Sequence, residues 1–333
     1  MKRINGLFEK VVDIENIRLA DAKARKNKKS FGIELFDRNK EANLREIQRE
    51  LEDGSYRTGE YEVFKIFTPK EREIARLKYE HRVVHHAVMN IMEPIWVSMF
   101  PATSYSCIKG RGIHKCLDDV RKALKDEEGT KYCLKLDIQK FYPSIDRARL
   151  MEMIGRKIKD KRLMALHSEI VNSAPTDKGV PIGNYLSQFY ANLYLTYFDH
   201  WLKEEKRVKY YFRYCDDMVI FDSDKSVLHR LLSDIREYLD TELHLTIKSN
   251  YQISPVDVRG VDFVGYKMFH THTLLRKSIK KALIKKRHNP RSVASYGGWA
   301  VHCNSNNLFR KTLKIELHDT FQSKTRKVTK IRL

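Results

Sequence analysis

The sequence predicts an α+β fold, and three observations predict it. Residues 131–270 alternate strand-like and helix-like runs. Within them, two runs of strand formers flank a pair of adjacent acids, in Tyr210-Tyr211-Phe212-Arg213-Tyr214-Cys215-Asp216-Asp217-Met218-Val219-Ile220-Phe221. Upstream, Val83, Val84, Ala87, Val88, Ile91 and Met92 recur at helical spacing. With 333 residues, 42% of them hydrophobic, the chain can bury a core as one large domain or two to three joined subdomains.

In chain order, residues 1–50 are charged and read as helix, including 20–29 and then 39–52. Residues 61–67, Tyr-Glu-Val-Phe-Lys-Ile-Phe, alternate as a strand with one buried face. A helix follows over 80–93, with Pro94 expected to end it. His81, His85 and His86 lie on or beside that helix; without a carboxylate or cysteine at ligand spacing they read as structural. Strands are expected at 132–136, 210–214 and 218–221, and helices at 147–157, 185–203 and 226–242. Residues 271–333 read as basic and mostly helical, broken at Gly297-Gly298, with Leu275, Ile279, Ala282 and Leu283 on one apolar stripe across 274–287.

Lysine and arginine total 64 against 43 acids, a formal charge of +21. A charge of that sign attracts a polyanion, and it recurs at 23–29, 276–287 and 309–332, although a solvated basic face is the bland alternative for each run. No stretch reaches the roughly 18 apolar residues of a membrane span, and the N-terminus lacks a secretory apolar core, so a cytoplasmic protein without a membrane partner is expected. Cys107, Cys116, Cys133, Cys215 and Cys303 form no CxxC pair and read as reduced thiols.

Neighbouring side chains on a strand face opposite ways, so Asp216 and Asp217 converge only if a tight turn carries them. Aspartate is also a good turn residue, which leaves a plain hairpin open. A further acid, Asp137, ends the strand-like run Cys133-Leu134-Lys135-Leu136. Mg²⁺ prefers hard oxygen ligands and commonly takes one or two carboxylates. Asp137 and Asp216 on neighbouring strands, with Asp217 less directly, suit two such ions about 3.5–4 Å apart, the arrangement that promotes in-line nucleotidyl transfer.

Asp137 followed by Phe141-Tyr142, and later Tyr214-Cys215-Asp216-Asp217, resembles the palm of reverse transcriptases. Other blocks occur in the family's order: Lys70-Glu71-Arg72-Glu73-Ile74 and residues 105–112 resemble fingers segments, Leu245-Thr246-Ile247-Lys248 the segment with a palm lysine, and Phe263-Val264-Gly265-Tyr266 the primer grip. The resemblance implies a right-hand polymerase: a basic N-terminal extension and fingers over 1–130, a palm with an antiparallel sheet over 131–270 (147–180 partly fingers), and a helical basic thumb and tail over 271–333. It implies Asp137, Asp216 and Asp217 as catalytic residues, and these with Ile138 as holders of two Mg²⁺ ions, Mn²⁺ being a substitute. Lys70, Arg72, Tyr142, Ile182, Gly183 and Lys248 would bind dNTP, Tyr142 as a steric gate against a 2′-hydroxyl and Lys248 as a proton donor to pyrophosphate. Phe263, Gly265 and Tyr266 would grip the primer, while Arg276, Lys277, Lys280 and Lys281 track nucleic-acid phosphates.

Gly179-Val180-Pro181-Ile182-Gly183-Asn184-Tyr185-Leu186-Ser187-Gln188 stands where most bacterial members carry Gln-Gly, three variable residues, then Ser-Pro. With Ile182 for the glutamine and Gln188 for the proline, it resembles the reverse transcriptases of diversity-generating retroelements, with Ile182, Ser187 and Gln188 as a fidelity motif. That resemblance implies a bacterial or phage-encoded enzyme that copies a template-repeat RNA into cDNA with errors at adenines, alongside an accessory variability determinant oligomer. The rivals are a retron-like or phage-defence reverse transcriptase and an RNA-binding scaffold without catalysis.

Overall fold

The computed structural model describes residues 3–67 and 71–313, so Lys70 and the basic tail at 324–332 lie outside the described residues. The chain forms two compact units, each assembled from separate stretches of sequence.

The first unit comprises the described residues up to Ala102 together with Ile138–Lys206 and Ile235–Ile247. It is mainly helical. The helix Tyr79–Val97 buries Val83, Val84, Ala87, Val88, Met92 and Trp96, and packs against Ile14–Arg25 and Tyr185–His200. Carboxylates start several helices by taking the first free backbone N–H groups: Asp13 accepts from Glu15, Asp146 from Arg149 and Asp160 from Leu163. Pro94 does not end its helix as expected. Its carbonyl accepts from Ser98 N at 3.2 Å, and Trp96, wholly buried, anchors the added turn. The helix expected across 20–29 stops at Arg25, because Asn27 takes a left-handed φ of 58°.

Strands β1 (Glu62–Ile66) and β2 (Arg72–Arg76) form an antiparallel hairpin in this unit. β1 is exposed along nearly its whole length, so the buried face expected at 61–67 is absent. The hairpin is attached through β2, where Ala75 is buried and its N–H donates to the Ile182 carbonyl at 2.9 Å.

The second unit comprises Thr103–Asp137, Arg207–Asp234 and the described residues from Lys248 on. Its main sheet contains β3 (Ser104–Tyr105), β4 (Tyr132–Asp137), β5 (Tyr210–Tyr214), β6 (Asp217–Asp222) and β7 (Gln252–Pro255), in the order β3-β5-β6-β4-β7. All its pairings are antiparallel except β3 with β5. A smaller antiparallel sheet, β10-β9-β8, holds β8 (Val261–Phe263), β9 (Tyr266–Met268) and β10 (Thr273–Leu275).

One face of β4, β5 and β6 supplies Cys133, Phe212, Val219 and Phe221 to a core shared with Leu117, Val120, Phe263, Tyr266 and Leu283. Burying each large apolar side chain contributes roughly 1.5–3 kcal/mol. Leu275, expected on a helical stripe, belongs with Leu274 to β10; the helix is Lys277–Lys285, with Leu283 buried and Ile279 packed against the core. The Gly297-Gly298 break is also absent. The helix Pro290–Ala300 continues through it, with Gly297 buried and its carbonyl bonded to Val301 N at 3.1 Å.

Candidate active site

β5 and β6 are joined by Cys215 and Asp216 alone, with Tyr214 opposite Asp217 closing the hairpin and Cys215 at φ 55°. Two residues with strand formers on either side leave no room for a wider loop. Asp217 is thus the first residue of β6, and the register sets it directly opposite Asp137, the last residue of β4. Opposed residues on antiparallel strands carry their side chains on one face, about 4.5–5.5 Å apart at Cβ. The register makes Asp217 the cross-strand neighbour of Asp137, while Asp216, expected on a neighbouring strand, lies on the turn, close enough for its carboxylate to interact with that of Asp137.

This concentration of acid is reflected in its protonation. Burial, then the charge of Asp137 and the hydrogen bond to it, raises Asp216 to about 6. Burial raises Asp217 to about 7, with Lys135 and Arg276 opposing and Asp137 and Asp216 reinforcing the shift. Lys135 Nζ lies 3.8 Å from Asp217 and also donates to the Asp262 carbonyl, whose own carboxylate pairs with Arg276. The Lys248 ammonium pairs with the Asp137 carboxylate, and the backbone N–H of Lys248 donates to the Asp137 carbonyl at 2.9 Å.

Oδ1 of Asp137 and Oδ1 of Asp217 are buried without a hydrogen-bond partner among the described residues. Unpartnered, buried anionic oxygens on a shared face are costly unless a cation meets them, so the site fits a hard divalent ion. No three His, Cys, Asp or Glu side chains among the described residues are arranged to hold a metal by themselves. Mg²⁺ ordinarily takes one or two carboxylates and completes its shell with water and phosphate.

Two supports of the turn escaped the sequence reading. Arg213 is fully buried and donates to the Cys215 carbonyl at 2.9 Å; its signal was a lone cation inside a run of strand formers. Lys135 stands two residues before Asp137, the spacing that shares a strand face. Beside the turn, Ser106 Oγ lies 2.9 Å from Cys215 Sγ and 3.4 Å from Cys107 Sγ. Hydrogen bonding with Cys215, aided by Ser106, pulls the Cys107 thiol down to about 6.

The remaining candidates fall into separate groups. In the first unit, the Tyr142 carbonyl accepts from Val180 N at 3.0 Å, and the Ile182 carbonyl accepts from β2. Gly183, at φ 124°, lies so close to β2 that a Cβ would come within 2.8 Å of the Ala75 carbonyl. Tyr142, Ile182, Gly183 and the strand that begins at Arg72 are thereby tied together, Arg72 being exposed. Ser187 is buried and Gln188 half-buried on the helix Tyr185–His200, while Ile138 is wholly buried and bridges to Ile247.

In the second unit, Val264 at φ 42° and Gly265 at φ 88° turn β8 into β9, and the Gly265 carbonyl accepts from Arg276 N at 2.9 Å. Phe263 and Tyr266 are buried core residues, Tyr266 donating its hydroxyl to the Trp299 carbonyl at 3.0 Å. Lys277 and Lys281 are exposed; Arg276 and Lys280 are half-buried. Of the three histidines, His81 contacts Tyr56 OH at 3.1 Å and His86 stacks on Tyr185, while His85 is buried, which lowers it to about 3.

Comparison with known proteins gives these features a context. A model of the reverse transcriptase (RNA-dependent DNA polymerase) family matches residues 65–268. Protein YkfC of Escherichia coli K12 is 24% identical over 259 residues, covering 64% of this chain and 66% of that protein. The group II intron-encoded protein LtrA of Lactococcus lactis subsp. cremoris is 24% identical over 177 residues, covering 50% of this chain and 29% of LtrA. The chain thus spans less than two thirds of the length of either relative. Among solved structures, telomerase from Candida albicans, in complex with a fragment of telomeric RNA, superposes with a TM-score of 0.52 at 12% identity, covering 81% of this chain and 59% of that one. That likeness shows a shared α+β polymerase fold.

Proposed function

Because the chain belongs to the reverse transcriptase (RNA-dependent DNA polymerase) family, we propose that it copies an RNA template into DNA, with Asp137, Asp216 and Asp217 as its catalytic carboxylates. The observation that carries this reading is the register of Asp137 opposite Asp217, with Asp216 on the adjoining turn and a buried, unpartnered oxygen on each of the opposed acids. Asp137, Asp216, Asp217 and the Ile138 carbonyl would hold two Mg²⁺ ions, with Mn²⁺ a substitute. When bound, such ions activate the primer 3′-hydroxyl and stabilise the departing pyrophosphate.

The protein's own groups then divide the work. Arg72, with Lys70, neutralises triphosphate oxygens; Tyr142 stands five residues after Asp137 as the aromatic that excludes a ribose 2′-hydroxyl. Lys248 holds Asp137 in place and is the nearby proton source for pyrophosphate. The hairpin Phe263 to Tyr266 steadies the primer through its backbone, since its two aromatics are buried, and Arg276, Lys277, Lys280 and Lys281 follow the duplex phosphates. The 1–130, 131–270 and 271–333 stretches serve as extension and fingers, palm, and thumb with tail.

The test is primer extension on an RNA template with Mg²⁺ and dNTPs. Wild type extends and Asp216→Ala does not; if neither extends while both bind RNA, the protein is an RNA-binding scaffold instead.

The narrower reading is that the product diversifies a gene. Ile182 and Gln188, standing for the glutamine and proline of most bacterial members, support a diversity-generating enzyme that copies a template-repeat RNA with an accessory variability determinant oligomer. A glutamine at 182 would offer hydrogen bonds near the nascent pair, whereas isoleucine offers packing, and loss of a polar check relaxes discrimination. Sequencing cDNA made by wild type and Ile182→Gln decides this. Errors concentrated at template adenines, and fewer in the variant, are expected; unchanged misincorporation sinks the role of Ile182.

A further inference from the structure

Two thiols stand beside the carboxylate turn, and the polymerase reading uses neither. β3 runs parallel to β5 with Ser104 beside Arg213 and Tyr105 beside Tyr214. One step beyond both strands, that register brings Ser106 beside Cys215, with Cys107 next in line. On that register Cys107 is diagonal to Cys215; with strands about 4.8 Å apart and a rise of about 3.3 Å per residue, one diagonal step is roughly 5.8 Å, within the Cα separation of roughly 4.4–6.8 Å that a disulfide spans. Ser106, Cys107 and Cys215 all hold positive φ, at 80°, 57° and 55°, which removes their side chains from the alternation of the strands. Buried Ser106 then contacts both sulfurs, at 3.4 Å and 2.9 Å, and Cys107 is exposed to solvent.

We propose that Cys107 and Cys215 form an oxidative modification site, a thiol pair that closes to a disulfide with hydrogen peroxide and reversibly disables the carboxylate turn. Cys107, the exposed member, attacks one peroxide oxygen, becoming a sulfenic acid as the other oxygen leaves as water. The Cys215 sulfur displaces the second oxygen, also as water. Two S–H bonds are lost and one S–S bond forms, and the two electrons and two protons leave with the reduced peroxide. The lowered Cys107 thiol favours this order, because the thiolate is the nucleophile. The other three thiols are poor competitors: Cys116 and Cys133 are buried and Cys303 partly so, and burial raises all three.

The consequence for function rests on the polymerase reading, since Cys215 directly precedes Asp216 and its carbonyl is fixed by Arg213. Drawing the Cys215 sulfur into a bond with Cys107 shifts the turn that carries Asp216, and a displacement of about 1 Å at a reacting group costs on the order of 100-fold in rate.

The full chain is treated with hydrogen peroxide, then digested without reduction for peptide mass mapping, while a parallel sample is assayed for primer extension before and after dithiothreitol. The expected result is a Cys107–Cys215 cross-link, loss of two of the five thiols, and an extension defect of about 100-fold that dithiothreitol reverses. Cys107→Ser should extend normally and resist peroxide, while Cys303→Ser stays sensitive. Both thiols remaining free, a different pairing, or a cross-linked protein that extends at the untreated rate overturns the proposal. If untreated wild type does not extend at all, the polymerase reading fails, while the peptide map still decides whether the pair closes.

Discussion

At a single side chain, Asp217, the proposed catalysis and the stability of the fold pull apart. Its carboxylate is raised to about 7 by burial and by Asp137 and Asp216, with Lys135 only partly compensating. Replacing it with asparagine removes the charge, keeps the shape, and should raise the melting temperature of metal-free protein by about 2–4 °C, or ~1 kcal/mol. Primer extension should fall by on the order of 1,000-fold in the same variant. The raised values also fix the sign of the pH dependence. A carboxylate harder to ionise when folded destabilises the native state above its folded value, and that cost disappears as pH falls through it toward the unfolded value near 4. With Asp216 at about 6 and Asp217 at about 7, metal-free protein should gain stability between about pH 8 and pH 5. Mg²⁺ should add most at the alkaline end. Thermal melts with Mg²⁺ and with EDTA at each pH check both statements; a melting point in EDTA that falls on acidification over this range refutes the first. The three acids were legible in the sequence because strand formers bracket them. Lys135 and Arg213 were not, because a cation in a strand reads as solvent-facing until the register is known.

At the level of the element, local composition described strands and helices well where their periodicity was long, and misjudged their ends. Pro94 and Gly297-Gly298 are strong breakers in isolation, yet buried Trp96 and buried Gly297 hold both helices through them. Leu275 suited either a stripe or a strand, and its pairing with Tyr266, beside Leu274 with Lys267, decided for the strand. The glycines of one region now separate by context. At Gly265, φ is 88° and an added Cβ would meet the Trp299 ring at 2.3 Å. Gly265→Ala should therefore cost about 2–4 kcal/mol in urea unfolding. Gly298 lies in the helix Pro290–Ala300 with nothing within 4 Å of an added Cβ, and Gly298→Ala should stabilise by about 0.5–1 kcal/mol. Equal effects at the two positions would contradict the turn and helix described for them.

For the whole molecule, the sequence conveyed charge and order of segments but not how the chain is partitioned. With a formal charge of +21, the proposed template-primer binding would be a counterion-release process. Affinity should fall by roughly 1,000-fold between 50 and 200 mM salt if six or more phosphates are contacted. Replacing Lys277, Lys280 and Lys281 with alanine should flatten the log–log slope by about 2–3; an unchanged slope removes that helix from the duplex path. The partition into two units, each built from three stretches of sequence, has its consequence during synthesis. The first unit is not complete until Ile247 has been made, and Asp137 waits for Lys248, more than one hundred residues later, before its ion pair can close. Neither unit can fold to completion as the ribosome delivers its opening stretch. The nascent chain must instead carry unfinished hydrophobic surface through most of translation, so its yield in a cell should depend on chaperone supply and on translation speed more than its equilibrium stability would suggest.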